Sequence, residues 1–309
     1  MPMEKGIDVL TIGDLCADVI LSGDDIVPEF GQKEKLIDDY DIEMGGSCSI
    51  FACQAAKLGL KTVVIGKVGC DPFGDVIYRT LETAGVDTSY VSRDPYSKTG
   101  VTVILNTGKD RAMLTYTGTI NAVEPADIPE QVLESARHLH IGSYFLIRKI
   151  QSYYPKIIEK MKKQGATISL DTNWDPEEKW GDGLWRILTY VDIFFPNENE
   201  IKAITGKDSL GKAVAELKDM IPIIAIKKGA EGAEVYSDGN VYHAKALPVE
   251  VADTVGAGDS FDAGFLCGYL KGATIQECAR MGCICGSLNA RMPGGTRGQP
   301  KLEELLNYM

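Results

Sequence analysis

No apolar run in the sequence approaches the ~20 residues that a membrane-spanning helix needs. Basic residues are in deficit, 32 Lys and Arg against 44 Asp and Glu, for a formal net charge of −12. That balance argues against general binding of nucleic acid or of an anionic membrane, although a local site can still receive a small anion. The eight cysteines include no CxxC pair. Cys283 and Cys285 lie one residue apart in a helical stretch, which points them about 200° apart. Neither a zinc site nor a disulfide framework is implied, and buried reduced thiols are expected. The start, Met1-Pro-Met-Glu-Lys-Gly6, lacks a signal-type apolar region, because Asp8 and Asp14 interrupt the stretch behind it. A cytoplasmic protein is expected. Internal repeats and low-complexity segments are absent as well.

What is present is an ordinary globular composition, 44% hydrophobic and 25% charged over 309 residues. That length suits one large domain or two small ones. Residues 7–13 read as a buried strand, and strand character is compatible with a continuation through 14–21. On a strand, Asp14, Cys16 and Asp18 would share one face. Residues 22–41 are polar and turn-rich. Then come Gly45-Gly46, a helix over 47–59 ended by Gly59, a strand over 61–65, and a helix reaching about 84 ended by Gly85. Residues 99–118 form a hairpin pattern turning at 107–110.

From about 137 the chain alternates. Strands are expected at 138–141, 167–171, 193–195 and 223–227, and helices at 151–164, 183–188, 198–205 and 211–219. A second hairpin over 233–245 turns at Asp238-Gly239, and helices at 259–271, 275–290 and 301–308 close the chain. Strands separated by helices predict an α/β fold, a parallel sheet with helices on both faces. Residues 18–44 and the early hairpin fall outside that alternation and suit a small β accessory.

The most informative run is Asp253-Thr-Val-Gly-Ala-Gly-Asp-Ser-Phe-Asp-Ala-Gly-Phe-Leu266. Gly256, Ala257 and Gly258 immediately precede a helix, where small residues and the helix dipole favour close approach of an anion to backbone N–H groups. Asp259 then stands beside the anion cradle. There it can take a proton from a hydroxyl attacking the anionic group, as general-base phosphoryl transfer requires. The same residues also read as an N-cap and a tight turn. The run is not a Walker A loop, having no Gly-Lys-Ser/Thr, and it lacks a dinucleotide fingerprint.

This run resembles the C-terminal signature of the ribokinase-like, or pfkB, family of carbohydrate kinases. Gly45-Gly46 with Lys67-Val-Gly-Cys-Asp-Pro-Phe-Gly74, then Pro196-Asn-Glu-Asn-Glu200, then Lys227-Lys-Gly-Ala-Glu-Gly232, are similar to further family motifs in the family's order, over essentially the whole chain. The resemblance implies a single three-layer α/β/α domain over 1–309. It would have a mostly parallel sheet and a small β-sheet lid from about 16–44 and 95–119. It implies transfer of the ATP γ-phosphate to a hydroxyl of a small molecule, with Asp259 as base and the N–H groups of Gly256, Ala257 and Gly258 as anion hole. Asn197 and Glu200 match the motif that organises Mg²⁺ through water, and read otherwise as an N-cap and a first-turn acid. Lys227, Gly229, Gly232 and Gly258 match nucleotide-site positions. The family often has Thr where Lys227 stands, so this Lys either meets a phosphate or is solvated.

Asp18 matches the family's acceptor-binding Asp, whose carboxylate can accept from two hydroxyls at once. Asp14 either joins it or is a turn residue, and Gly45, Gly46 and Arg111 are further acceptor-site candidates. Asp253 and Thr254, with 293–298 as the second half of the loop, match a region where many relatives bind a monovalent cation, so K⁺ is a candidate cofactor.

Three departures bear on the acceptor. Ile50 and Cys16 replace family Asn residues, and Asp175 ends Asp171-Thr-Asn-Trp-Asp175 where relatives acting on fructose or a sugar acid often have Arg. With Asp14, Asp18 and Asp175 near the cleft, a neutral polyhydroxyl acceptor is expected: an aldose or ketose, a cyclitol or a nucleoside. Arg111 and Arg148, if at the rim, would work the other way. Two other readings stay open. One is a nucleoside kinase with Ile50 and Phe51 lining a base pocket. The other is a catalytically silent sugar- or nucleotide-binding protein, against which the intact 256–259 run argues. His138 and His140 share a strand face, either as a metal pair or as strand residues beside the cleft. Trp174, Trp180 and Trp185 read as packing residues, with Trp174 able to border the site. A homodimer through exposed lid edges is expected from unpaired strands.

Overall fold

The structure, a computed structural model, describes residues 6–23, 25–107 and 111–309. Its strands are β1 (Ile7–Ile12), β2 (Cys16–Ser22), β3 (Asp39–Gly45), β4 (Thr62–Gly69), β5 (Asp87–Asp94), β6 (Gly100–Asn106), β7 (Arg111–Tyr116), β8 (Ala136–Ile141), β9 (Thr167–Leu170), β10 (Ile193–Phe194), β11 (Ile223–Lys227), β12 (Ala233–Ser237) and β13 (Asn240–Ala244). Nine of them form one sheet in the order β13-β12-β11-β10-β9-β8-β1-β4-β5. It is parallel from β5 to β11, and the β12–β13 hairpin adds two antiparallel strands at one edge. That hairpin turns through Asp238 (φ 49°) and Gly239 (φ 75°), the left-handed pair that suits the twist of two flanking strands.

The central strands are apolar runs because both faces of the sheet are covered. Leu10, Ile12, Leu139, Ile168 and Phe194 pack on one side, with Ile157 and Ile158 of helix Tyr154–Lys163 and Leu184 of helix Asp182–Leu188. Val9, Ile193, Phe195 and Ala225 pack on the other, against helices Ser47–Lys57, Ala257–Leu270 and Ile275–Asn289. Neighbouring residues Ile193, Phe194 and Phe195 thus serve opposite faces in turn, as strand geometry requires.

The other sheet has four strands in the order β3-β2-β6-β7. β2 is parallel to β6 and antiparallel to β3, and β7 is antiparallel to β6. Every residue of β7 is exposed, as are Tyr40 and Ile42 of β3. Among the described residues no helix is long and apolar enough to cross a membrane.

Several expectations need correction. Residues 14–21 do not continue β1. The chain leaves the large sheet at Gly13, where an added Cβ would lie 2.5 Å from Cys48 Sγ and 2.6 Å from Ile147 Cδ1, and β2 begins at Cys16 in the small sheet. Strand β4 runs on to Gly69, and the segment 151–164 splits into Arg148–Gln151 and Tyr154–Lys163, with Pro155 in the first turn of the second. Strand β5 is a polar edge strand and helix Glu130–Ser135 is only six residues long, and neither carries the apolar pattern that marks the others. Positions 108–110 of the expected turn at 107–110 lie outside the described residues.

Asp71 joins the two sheets. It caps helix Pro72–Ala84 by accepting from Gly74 N (3.0 Å), and it also accepts from Thr99 N (2.8 Å) and Thr99 Oγ1 (2.7 Å) just before β6. Asp71→Ala is expected to cost about 1–2 kcal/mol through the lost cap and the stranded Thr99 donor. Urea unfolding checks this, and an unchanged midpoint would contradict it.

Candidate active site

Strand β1 runs into Gly13, and the residue beyond it, Asp14, anchors the neighbouring segments. Asp14 is buried, and both of its oxygens are engaged. Oδ2 accepts from Ser47 N (3.0 Å) and Ser143 Oγ (2.5 Å), and Oδ1 accepts from Cys48 N (2.9 Å). Burial pushes Asp14 up, while these hydrogen bonds hold it down. The carboxylate therefore caps helix Ser47–Lys57 from outside, which its own N-cap Gly46 cannot do. Gly46 adopts φ 88°, and a Cβ there would meet Asp14 O at 2.1 Å, so the Gly-Gly pair is a packing requirement of this crossing.

Asp18 stands on β2, buried, with its oxygens against Gly45. A Cβ on Gly45 would lie 2.1 Å from Asp18 Oδ1. Burial pushes Asp18 up to about 7; the Cys16 thiol (3.8 Å) and the Arg111 charge work downward, and Asp14 and Asp253 upward.

Helix Ala257–Leu270 starts from Gly256, whose φ of 70° makes it the N-cap, with no side chain to offer the first turn. Asp259 is therefore not the N-cap. It sits at the third helical position, buried, accepting a hydrogen bond from Ser47 Oγ. Burial raises Asp259 to about 7, helped by the negative charge of Asp171, while the Ser47 hydroxyl and Lys227 oppose the rise. Of the three N–H groups expected to form an anion hole, that of Ala257 is directed at Thr254 O, at a long 3.3 Å.

A cavity of about 460 Å³ opens beside this helix start. Lys227, Gly229, Gly232, Thr254 and Gly258 line it, together with apolar Leu247 and Val251. Lys227 is not solvated. Its Nζ lies 2.5 Å from Asp171 Oδ2 and 3.6 Å from Asp262 Oδ1. Burial alone would lower Lys227, but the charges of Asp171, Asp262 and Glu200 outweigh it and raise it. Asn197 and Glu200 form a capping box: Asn197 Oδ1 accepts from Asn199 N and Glu200 N (both 2.9 Å), and Glu200 Oε2 accepts from Asn197 N (2.8 Å). Burial, then the Asp171 charge, raise Glu200 to about 7, with Lys227 opposing them. The Asn197 backbone bridges to Lys227, which brings the motif to the cavity edge.

Asp253 joins the two halves of the glycine-rich loop, accepting from Val255 N (3.0 Å) and Gly294 N (3.1 Å), and Arg111 stands 3.9 Å from it. Arg297 of the second half pairs with Asp41 (2.9 Å) and Glu43 on β3.

Other expected site residues lie elsewhere. Asp175 is buried and accepts from the N–H groups of Glu177 (2.9 Å), Lys179 (2.8 Å) and Trp180 (2.9 Å), so its charge is spent on its own loop. Arg148 pairs with Glu177 at 2.6 Å. His138 and His140 are buried among Thr167 and Ser169, and burial lowers both, His140 to about 3. They are neutral core residues, not a metal pair. Phe51 is fully buried and stacks on His140 at 3.7 Å inside the core. Trp174 is half-exposed and meets Trp180 edge-on at 5.1 Å.

Sequence reasoning missed Ser47, Ser143, Asn173, Asp171 and Asp262 as functional neighbours. Ser143 (φ 47°) and Asn173 (φ 53°) are strained left-handed residues after β8 and β9, joined by Ser143 N–H to Asn173 Oδ1 at 2.9 Å. Ser47, directly after the Gly-Gly pair, and Asp171 and Asn173, in Asp171-Thr-Asn-Trp-Asp175, carried local signals.

Comparison with known proteins agrees with this geometry over almost the full length. The sequence profile described as "pfkB family carbohydrate kinase" matches residues 7–302. The ATP-dependent ribose-1-phosphate kinase of Halopiger xanaduensis is 30% identical, covering 97% of this chain and 97% of that one. The 2-dehydro-3-deoxygluconokinase of Bacillus subtilis is 30% identical, covering 86% of each. Among solved structures, a candidate ribokinase II of E. coli, in complex with ATP and Mg²⁺, superposes with a TM-score of 0.88 at 25% identity over 98% of each chain.

Removing the Ser47 hydroxyl is expected to move Asp259 further up from about 7, because the lost hydrogen bond favours the ionised carboxylate. Carbon-13 NMR titration of labelled aspartate in Ser47→Ala checks the sign. A midpoint left in place or lowered would contradict it.

Proposed function

Since this chain belongs to the pfkB family of carbohydrate kinases, we propose that it transfers the γ-phosphoryl group of ATP to a hydroxyl of a small, neutral sugar or polyol. The observation that carries the reading is Asp259: a buried carboxylate in the first turn of a helix whose glycine start borders a cavity. In this reading Asp18 accepts hydrogen bonds from the acceptor's hydroxyls. Asp259 takes the proton of the attacking hydroxyl as its oxygen bonds to the γ-phosphorus and the bond to the β-phosphate oxygen breaks, releasing ADP. The N–H groups at Gly256, Ala257 and Gly258 meet the charge that develops on the transferred group. Lys227, Gly229 and Gly232 border the nucleotide.

The residues present fit a magnesium ion held largely by phosphate and water oxygens. Glu200 and Asn197 each spend an oxygen on the capping box, and Glu200 keeps a second oxygen for a water. When bound, Mg²⁺ supplies charge neutralisation on the phosphates. Potassium beside Asp253 is part of the proposal, to be judged by comparing rates in K⁺ with rates in a large-cation buffer. Equal rates would remove it. The small sheet is proposed to act as the lid, and its exposed strand β7 to pair two chains; sedimentation at several concentrations reads this, and a monomer throughout would refute the pairing.

The neutral acceptor no longer rests on Asp175, whose carboxylate faces its own loop. It rests on the mouth of the site, where Asp18, Glu43 and Asp253 stand and where Arg111 and Arg297 already face acids. The nucleoside alternative loses Phe51, which is core.

ADP release over a panel of neutral sugars, cyclitols, nucleosides, sugar acids and sugar phosphates tests the reading. Asp259→Asn is expected to bind ATP normally but to lose about 10²–10⁴-fold in turnover. Because the base must be ionised, the wild-type rate is expected to fall as pH drops through about 7. Best activity on acids or phosphates would keep the kinase and overturn the neutral acceptor. ATP binding without turnover on any acceptor would favour a silent binding protein.

A further inference from the structure

Of the buried cluster behind the helix start, only Lys227 has a place in the steps above, at the border of the nucleotide. Lys227, at the C-terminal end of β11, places Nζ 2.5 Å from Asp171 Oδ2, just beyond β9, and 3.6 Å from Asp262 Oδ1, one residue short of a turn after Asp259 on the same helix. The same Nζ lies 3.4 Å from where a Cβ on Gly258 would stand, so the ammonium packs under the residue next to Asp259. Asp262 is fully buried, and its carboxyl meets that of Asp171, with which it can share a proton. A carboxyl so placed beside Asp171 holds its proton, since burial and the neighbouring charge both oppose ionisation. The cluster then carries one negative charge, on Asp171, and one positive charge, on Lys227.

We propose that Lys227 is a positioning residue: its ammonium, held by Asp171 under the first turn of the helix, favours the proton-accepting form of Asp259. The groups facing Asp259 are few. Ser47 comes from helix Ser47–Lys57, Asp14 from the link after β1, Asp171 from the end of β9 and Lys227 from the end of β11, while Asp262 shares its helix. Glu200 faces Lys227 from helix Glu198–Thr205. In that set Lys227 is the cation, and the charges of Asp171 and Asp14 work against it. The proposal deepens the kinase reading and rests on it for the role of Asp259.

The test is the titration of Asp259 in the full chain, by carbon-13 NMR of labelled aspartate, in wild type, Lys227→Met, Lys227→Arg, Asp171→Asn and the double variant Lys227→Met/Asp171→Asn. Lys227→Met is expected to raise the Asp259 midpoint by about one unit or more, and Lys227→Arg to restore it. Asp171→Asn is expected to lower it, and adding Lys227→Met to that background to raise it again. Should Lys227→Met alone fail to fold, the last comparison carries the same information without a stranded buried charge. On whichever acceptor the panel finds, the acidic limb of kcat/KM is expected to move with the midpoint, and the KM for ATP, which Lys227 borders, to change by less than about tenfold. An Asp259 midpoint indifferent to Lys227 overturns the proposal. So does a tenfold rise in the KM for ATP with the midpoint in place, which would make Lys227 a phosphate ligand. The titration needs neither ATP nor acceptor, so a failed kinase assay and a failed shift are distinguishable.

Discussion

The site hangs on one buried carboxylate. Asp14 accepts from the N–H groups of Ser47 and Cys48 and from the Ser143 hydroxyl, and so ties together three segments: the switch between the two sheets, the start of helix Ser47–Lys57 and the turn after β8. Ser47, fixed in this way, reaches across to Asp259. The geometry tolerates little change. Gly13 and Gly46 have no room for a side chain, and Gly46 takes a backbone conformation that other residues adopt only under strain. Loss of the Asp14 carboxylate would free the Ser47 end of the helix, and with it the alignment of the proposed base, Asp259, on a helix more than two hundred residues later in the chain.

Such a site works against the stability of the unliganded fold. Asp18, Asp259 and Glu200 are each raised by burial to about 7, so the folded chain binds their protons more tightly than the unfolded chain, where carboxylates titrate near 4. Their contribution to stability is complete below that lower value and is lost as pH rises through about 7. At neutral pH the protein therefore holds strained, partly ionised carboxylates in place with hydrogen bonds and with Lys227. The same burial is what gives a carboxylate a proton affinity close to working pH, where it serves best as a base.

Much of the large sheet was legible because its strands are apolar runs separated by amphipathic helices, and because Gly85 and the Asp238-Gly239 turn mark boundaries by their backbone needs. Strand β5 was not, since an edge strand needs few apolar residues. Asp259 and Asp18 could be singled out because each stands in a local motif. Asp175 and His138 illustrate the limit. Residue type and position suggested a charge at the cleft and a metal pair, but three backbone N–H groups claim the first, and full burial among hydroxyls claims the second. The Lys227–Asp171–Asp262 cluster was illegible for another reason: its members come from separate elements, and only the crossing of β9, β11 and the helix brings them together.

The ties between the small sheet and the large one are of a different kind from the buried core. Arg297 meets Asp41 and Glu43 on β3, and Arg111 of β7 faces Asp253, so both pairs join the small sheet to the loop that carries Gly256–Gly258. Both arginines are more than a third exposed, and ion pairs so placed stabilise little, because water competes for each partner. In the proposed lid role, such weakness would let the sheet part from the loop and return. Asp18 rides on β2 of that same sheet, with Gly45 of β3 packed against its carboxylate. A return of the sheet would, in the proposed mechanism, bring the Asp18 carboxylate and the Gly256–Gly258 turn into register in one movement. Charges that fix where the sheet lands, without fixing when, let the ligands between the two surfaces supply most of the closing energy.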